Sequence, residues 1–118
     1  MIPPKLLGPA EITFFVPDVS QALPWYRKLF GPPVFNSEHF SIFQGPGIEV
    51  GIHLGDAKTN GTSGRTVLYW RVENLHDAMA AMVVLGCRVY REPIIGSDGP
   101  AVCQLEDPFG NVWGLRQA

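Results

Sequence analysis

The chain is short of charge, almost without cysteine, and has no long apolar run. Lys and Arg number 9 against 11 Asp and Glu, a net charge of −2, and neither sign gathers into a block. Nucleic acid and anionic membrane both call for a basic patch, so neither is expected as a partner. No apolar stretch reaches the roughly 20 residues needed to cross a bilayer. Met1-Ile-Pro-Pro-Lys5 lacks the apolar segment of a secretory signal. Cys87 and Cys103 are too few for a disulfide framework or a Cys-rich metal site. They read as buried free thiols in a reducing compartment, and the expected localisation is cytoplasmic. No Ser-His-Asp spacing, Gly-rich phosphate loop or nucleotide fingerprint is present.

What is there is a compositionally ordinary globular chain: 118 residues, 46% hydrophobic and 17% charged. That length suits a single domain spanning 1–118. Its organisation shows in a repeat. Glu11-Ile-Thr-Phe-Phe-Val16 alternates apolar and polar residues and then meets Pro17-Asp18; Val67-Leu-Tyr-Trp-Arg-Val72 alternates and meets Glu73-Asn74. Each is a strand followed by a helix start. Ala22, Trp25, Tyr26, Leu29 and Phe30 then recur at helical spacing up to Gly31, and Leu75, Ala78, Met79, Met82 and Leu85 do so up to Gly86. Asn74 is a good N-cap and Gly86 suits the left-handed position after a helix. Pro24 is tolerable only in a first turn, which makes Ser20 the expected cap of the first helix.

The two segments superimpose at an offset of 56, Val16, Asp18, Val19 and Ala22 answering to Val72, Asn74, Leu75 and Ala78. Strand-like runs follow each helix: Val34-Phe35, His39 to Phe43 and Ile48 to Leu54, then Arg88 to Arg91, Ala101 to Leu105 and Val112 to Arg116. Gly45-Pro-Gly47, Gly96 to Pro100 and Asp107-Pro-Phe-Gly-Asn111 supply turns, and Gly55 to Gly64 reads as a flexible connection. The predicted pattern is strand, helix, three strands, twice over: eight strands and two main helices with pseudo-twofold symmetry. Module 1 runs over about 6–57 and module 2 over about 63–118.

Alternation assigns two faces to the first and last strand of each module. One carries Ile12, Phe14, Val16, Ile48, Val50, Ile52, Leu54, Leu68, Trp70, Val72, Trp113 and Leu115, and should pack on the helices. The other carries Glu11, Thr13, Phe15, Glu49, Gly51, His53, Val67, Tyr69, Arg71, Val112, Gly114 and Arg116. A solvent-facing sheet would also be polar, but it seldom combines Phe, Val, Tyr and two interior glycines. Glycine weakens a strand unless something approaches closely. The mixture favours a curved sheet lining a cavity.

Ile12-Thr-Phe-Phe-Val-Pro-Asp18, Ala22 with Trp25-Tyr26 and Leu29-Phe30-Gly31, Leu85-Gly86, and Asp107-Pro-Phe-Gly-Asn111 before a last strand resemble the glyoxalase, bleomycin-resistance and extradiol-dioxygenase (vicinal oxygen chelate) superfamily. The resemblance implies an α+β fold, two βαβββ modules forming a curved mixed β-sheet cavity, commonly in a homodimer. It also implies a divalent metal held by His, Glu or Gln on first and last strands, polarising vicinal oxygens. Glu11 stands at the first-strand ligand position of module 1, Val67 at that of module 2, and Gly114 at the last-strand position of module 2. In module 1 the register is open: the repeat sets Gly51 opposite Gly114, whereas a shifted strand alignment makes Glu49 the ligand.

Two carboxylates hold a divalent ion weakly, so no metal or other cofactor is expected, with Glu11, Glu49 and His53 as the fallback ligand set. His53 alone reads more simply as a strand-end histidine, and His39 and His76 as surface residues. Tyr69 and Phe15 could stack on a planar ligand. Arg71 and Arg116 could hold a ligand carboxylate, though an ion pair with Glu11 or Glu49 is the preferred reading. The leading expectation is a metal-free protein that binds a small organic molecule through Glu11, Thr13, Phe15, Glu49, His53, Tyr69, Arg71 and Arg116. The alternative is a lyase, isomerase or dioxygenase, using the fallback metal set or Glu11 or Glu49 as general base.

Overall fold

A computed structural model describes residues 3, 5, 7–56, 66–95 and 100–118. Among them are eight strands and two helices, falling into two compact units, Met1–Leu54 and Gly55–Ala118. The first unit runs β1 Glu11–Val16, α1 Val19–Phe30, β2 Phe35–Asn36, β3 Phe40–Gly45 and β4 Ile48–Leu54. The second runs β5 Tyr69–Val72, α2 Leu75–Val84, β6 Arg88–Ile94, β7 Val102–Glu106 and β8 Val112–Gln117. This is the βαβββ module twice. Each module is a four-stranded mixed sheet, ordered β1-β4-β3-β2 and β5-β8-β7-β6. Its first and last strands pair in parallel, and the hairpins that follow the helix are antiparallel.

The helix starts fall where the repeat puts them. Asp18 caps α1, accepting from the Gln21 amide at 3.0 Å, and Asn74 caps α2, accepting from the Asp77 amide at 2.9 Å. Ser20 is not the cap. It lies inside α1 and donates its hydroxyl to Asp18. Pro24 therefore sits in the helix body, where its ring removes one backbone donor. Ser20 and Pro24 are both exposed, so water can satisfy the carbonyl that Pro24 leaves without a donor. The helix tolerates Pro24 because strong packing surrounds it: Val19, Ala22, Trp25 and Tyr26 are buried on its other side. Gly31 and Gly86 end the helices at positive φ, +77° and +99°.

The apolar sheet faces form the cores. In the first unit Phe14, Val16, Phe43, Val50 and Ile52 are buried, with Tyr26 against Phe14 and Trp25. In the second, Leu75, Met82, Cys87, Cys103, Leu105, Trp113 and Leu115 are buried, and Trp70 stacks on Trp113 at 5.8 Å. Leu54, at the end of its strand, is exposed, unlike the rest of its predicted face. Asp107 organises the last turn. Its carboxylate accepts from the Phe109 and Asn111 amides and from the Trp113 indole N–H at 2.9 Å. The Gln117 side chain accepts from the Leu75 amide at 2.8 Å and ties the start of α2 to β8. Both cysteines are free and buried, and burial pushes the Cys87 thiol up to about 12. The predicted turn over 96–99 and most of the predicted connection lie outside the described residues.

Candidate functional site

Strand pairing settles the register left open by the sequence. Thr13 pairs with Gly51 in the first unit, and Tyr69 pairs with Gly114 in the second. Thr13 and Tyr69 are equivalent under the offset of 56, so Gly51 is the counterpart of Gly114. Glu49 lies one row away, opposite Glu11.

The polar face of each sheet can then be read in three rows across β1-β4-β3 and β5-β8-β7. In the first unit they are Glu11, Glu49, Gln44; Thr13, Gly51, Ile42; and Phe15, His53, Phe40. In the second, where β5 begins only at Tyr69 and the predicted strand residue Val67 precedes it, they are Val112, Glu106; Tyr69, Gly114, Gln104; and Arg71, Arg116, Val102. Every residue proposed from the sequence as a ligand contact lies in these rows.

In the first unit the rows bring Glu11, Thr13 and His53 together. The Thr13 hydroxyl donates to Glu11 Oε2 at 2.5 Å, and His53 Nε2 stands 3.3 Å from the same oxygen. Gly51 makes this possible. A Cβ there would come within 2.6 Å of Glu11 Oε2 and 2.9 Å of His53 Nε2. The imidazole is held flat by Phe40, ring to ring at 5.2 Å and 9°, and Phe35 stacks on Phe40 at 5.0 Å. With Phe15 tilted against His53 at 6.3 Å, an aromatic row crosses all four strands. Phe35 and Phe40 were not singled out in the sequence. Their signal was the alternation of the inner strands, which needs the hairpin register before it can be assigned a face.

In the second unit Gly114 plays the corresponding part for an aromatic ring. A Cβ on Gly114 would lie 2.5 Å from Cδ1 of Tyr69, so the phenol crosses the strand where a side chain would otherwise rise. Gln104, also missed, donates to the Tyr69 hydroxyl at 2.7 Å. Arg71 and Arg116 are direct neighbours on the paired parallel strands β5 and β8. A depression of ≈ 470 Å³ is lined by Tyr69, Arg71, Pro100, Arg116, Gln117 and Ala118. Among the described residues of this unit, no carboxylate pairs with either guanidinium, and the ion pair formed is Arg88 on β6 with Glu106 on β7.

The donor set fits the implied divalent metal poorly. Val67 offers no donor, and the space over Gly114 is filled by the Tyr69 ring. Among the described residues no three His, Cys, Asp or Glu side chains converge as metal ligands, so only Glu11 and His53 of the fallback set meet. Nor is any described helix long and apolar enough to cross a membrane.

Residues 8–115 match the model of the family described as glyoxalase/bleomycin resistance protein/dioxygenase superfamily. No curated protein matches the chain in sequence. Among solved structures, a glyoxalase-related enzyme from Fulvimarina pelagi is 22% identical, with 96% of this chain and 89% of that one covered and a TM-score of 0.75. The fosfomycin resistance protein FosX from Listeria monocytogenes, complexed with Mn(II) and sulfate, is 15% identical, with 97% and 92% covered and a TM-score of 0.79. Lactoylglutathione lyase from Agrobacterium tumefaciens is 17% identical, with 99% and 96% covered and a TM-score of 0.69. At these identities the likeness is one of fold.

Proposed function

Since the chain belongs to the glyoxalase/bleomycin resistance protein/dioxygenase superfamily, we propose that it is a metal-free member that binds a small organic molecule against the polar faces of its sheets. The carrying observation is the Tyr69 ring laid over Gly114. A ring at that position replaces a metal donor with an aromatic contact surface, and its hydroxyl is fixed by Gln104. Binding then needs a lined depression and a few polar anchors, which Arg71 and Arg116 supply. The protein works in the cytoplasm as a homodimer, the common assembly for small members; exposed Phe35, Val84 and Ile94 are apolar surface for a second copy to cover.

Elemental analysis of purified protein tests the metal-free reading. The expected result is no stoichiometric zinc, iron, nickel or manganese. About one ion per chain, lost on Glu11→Ala, would overturn it. Sedimentation at micromolar concentration tests the homodimer, and a monomer there would count against it.

A second reading rests on the Glu11–Thr13–His53 contact. A carboxylate whose one oxygen receives a hydroxyl and faces an imidazole can act as a base and hand its proton to the neighbouring nitrogen. On that reading the protein is a lyase or isomerase such as lactoylglutathione lyase is named for. Loss of proton exchange from a carbonyl substrate's α-carbon in Glu11→Gln, with the fold intact, would favour it over simple binding.

A further inference from the structure

We infer that the second unit's depression takes an organic oxyanion, a carboxylate or phosphonate on a planar or apolar body, with Arg71 and Arg116 as its two anchors. This deepens the binding reading and rests on it. Arg71 and Arg116 are Cα partners on adjacent parallel strands, so both guanidiniums rise from the same sheet face in the same row. Like charges directly opposite one another in a sheet repel. Among the described residues of the unit no carboxylate compensates that repulsion, the ion pair there being Arg88 on β6 with Glu106 on β7.

The neighbouring row adds to the same preference. The Tyr69 oxygen already accepts from Gln104, which leaves the phenol's own proton to donate. Arg71, Arg116 and Tyr69 all line the depression of ≈ 470 Å³. Beside Pro100, Ala118 and a Gln117 whose side chain is engaged by the Leu75 amide, it thus presents two guanidiniums and a phenol hydroxyl. Guanidinium groups recognise carboxylate and phosphonate oxygens through paired N–H donors. The ring of Tyr69, held across Gly114, supplies a flat apolar surface beside them. An anion seated here satisfies both guanidiniums at once, whereas a cation would add to the repulsion and a neutral amide would leave it in place.

The test uses benzoate, phenylphosphonate and the neutral isostere benzamide, titrated into the isotope-labelled chain and read by amide and arginine side-chain shifts. Benzoate or phenylphosphonate should move residues 69–71 and 114–116 and bind at least about tenfold more tightly than benzamide, the scale of a charge-assisted bond. Which of the two binds more tightly separates a carboxylate from a phosphonate ligand. Arg71→Gln and Arg116→Gln should each bring anion affinity down to that of benzamide, with benzamide binding unchanged and the amide spectrum still folded. Arg116→Lys keeps the charge and should retain part of the preference. Benzamide binding as tightly as both anions at this face would overturn the inference and leave the binding reading standing. Shifts from none of the three probes at this face would overturn both.

Discussion

The third row of the polar face reads Phe15, His53, Phe40 in the first unit and Arg71, Arg116, Val102 in the second. One backbone plan thus carries an aromatic strip in one copy and a cationic pair in the other. The first rows differ in the opposite sense, Glu11 and Glu49 against Val112, with Val67 lying before the start of β5. The cores do not diverge in this way. Phe14 and Ile52 answer to Trp70 and Leu115, apolar for apolar. The difference teaches that the repeat fixes where a side chain stands, while the chemistry at each station was free to separate once packing was secured on the other face. Between the two copies, only the middle row keeps a shared device: a glycine that clears room for its neighbour.

The sharpest break in the comparison comes from the core. Trp113→Ala should cost about 3–5 kcal/mol in denaturant unfolding, since it empties a buried ring site and strips a donor from Asp107. Val50, its counterpart in the first unit, carries far less volume, and Val50→Ala should cost clearly less. Equal losses would mean the two cores do not correspond.

The glycines come next. Gly114→Ala must displace the rigid Tyr69 ring and should cost roughly 1–3 kcal/mol. Gly51→Ala meets the flexible ends of Glu11 and His53 and should cost less. Thermal melts of both variants rank them, and the reverse order would mean that the Glu11–His53 contact is the more firmly built.

How much of this was legible beforehand follows from which signals are local. The cap Asn74, the stopping glycines and the strand-helix-three-strand order are local signals, and they stand where the repeat puts them. The choice of Ser20 as cap was a misreading of Pro24. A local rule about proline yielded to tertiary packing, which holds the helix around a missing hydrogen bond. The middle row was half visible: both glycines and Tyr69 were named, but the Tyr69–Gly114 crossing depends on parallel pairing between strands distant in sequence. Phe35, Phe40 and Gln104 were invisible for the same reason, since their faces are fixed by hairpin register and not by composition.

A third test concerns the thiols. Burial, with Asp107 nearby, raises Cys87 from 9.0 to about 12. At pH 8 its thiolate fraction falls by about a thousandfold, so native protein should resist alkylation and unfolded protein should not. A raised thiol pKa contributes stability below pH 9 that is lost as pH climbs toward 12. Fast native-state labelling of Cys87 would show that the core of the second unit opens readily. The smallest expected effect is that of Arg71→Gln on folding. Relief of a like-charge pair should leave stability unchanged or raise it by roughly a few tenths of a kcal/mol, and a clear loss would mean that the row is a structural pair.

One feature of the second sheet bears on how the protein keeps its own company. β6 ends the order β5-β8-β7-β6, and its pairing with β7 slips twice, between Val89 and Arg91 and again before Ile94. Pro93 offers no amide along that margin, and Arg88, Arg91 and Glu92 set charges there. A regular strand in this place, carrying Val89, Tyr90 and Ile94, would be a template for endless sheet growth from chain to chain. The broken rhythm of β6 turns that template into a poor one, so that crowding and heat meet an edge that does not propagate.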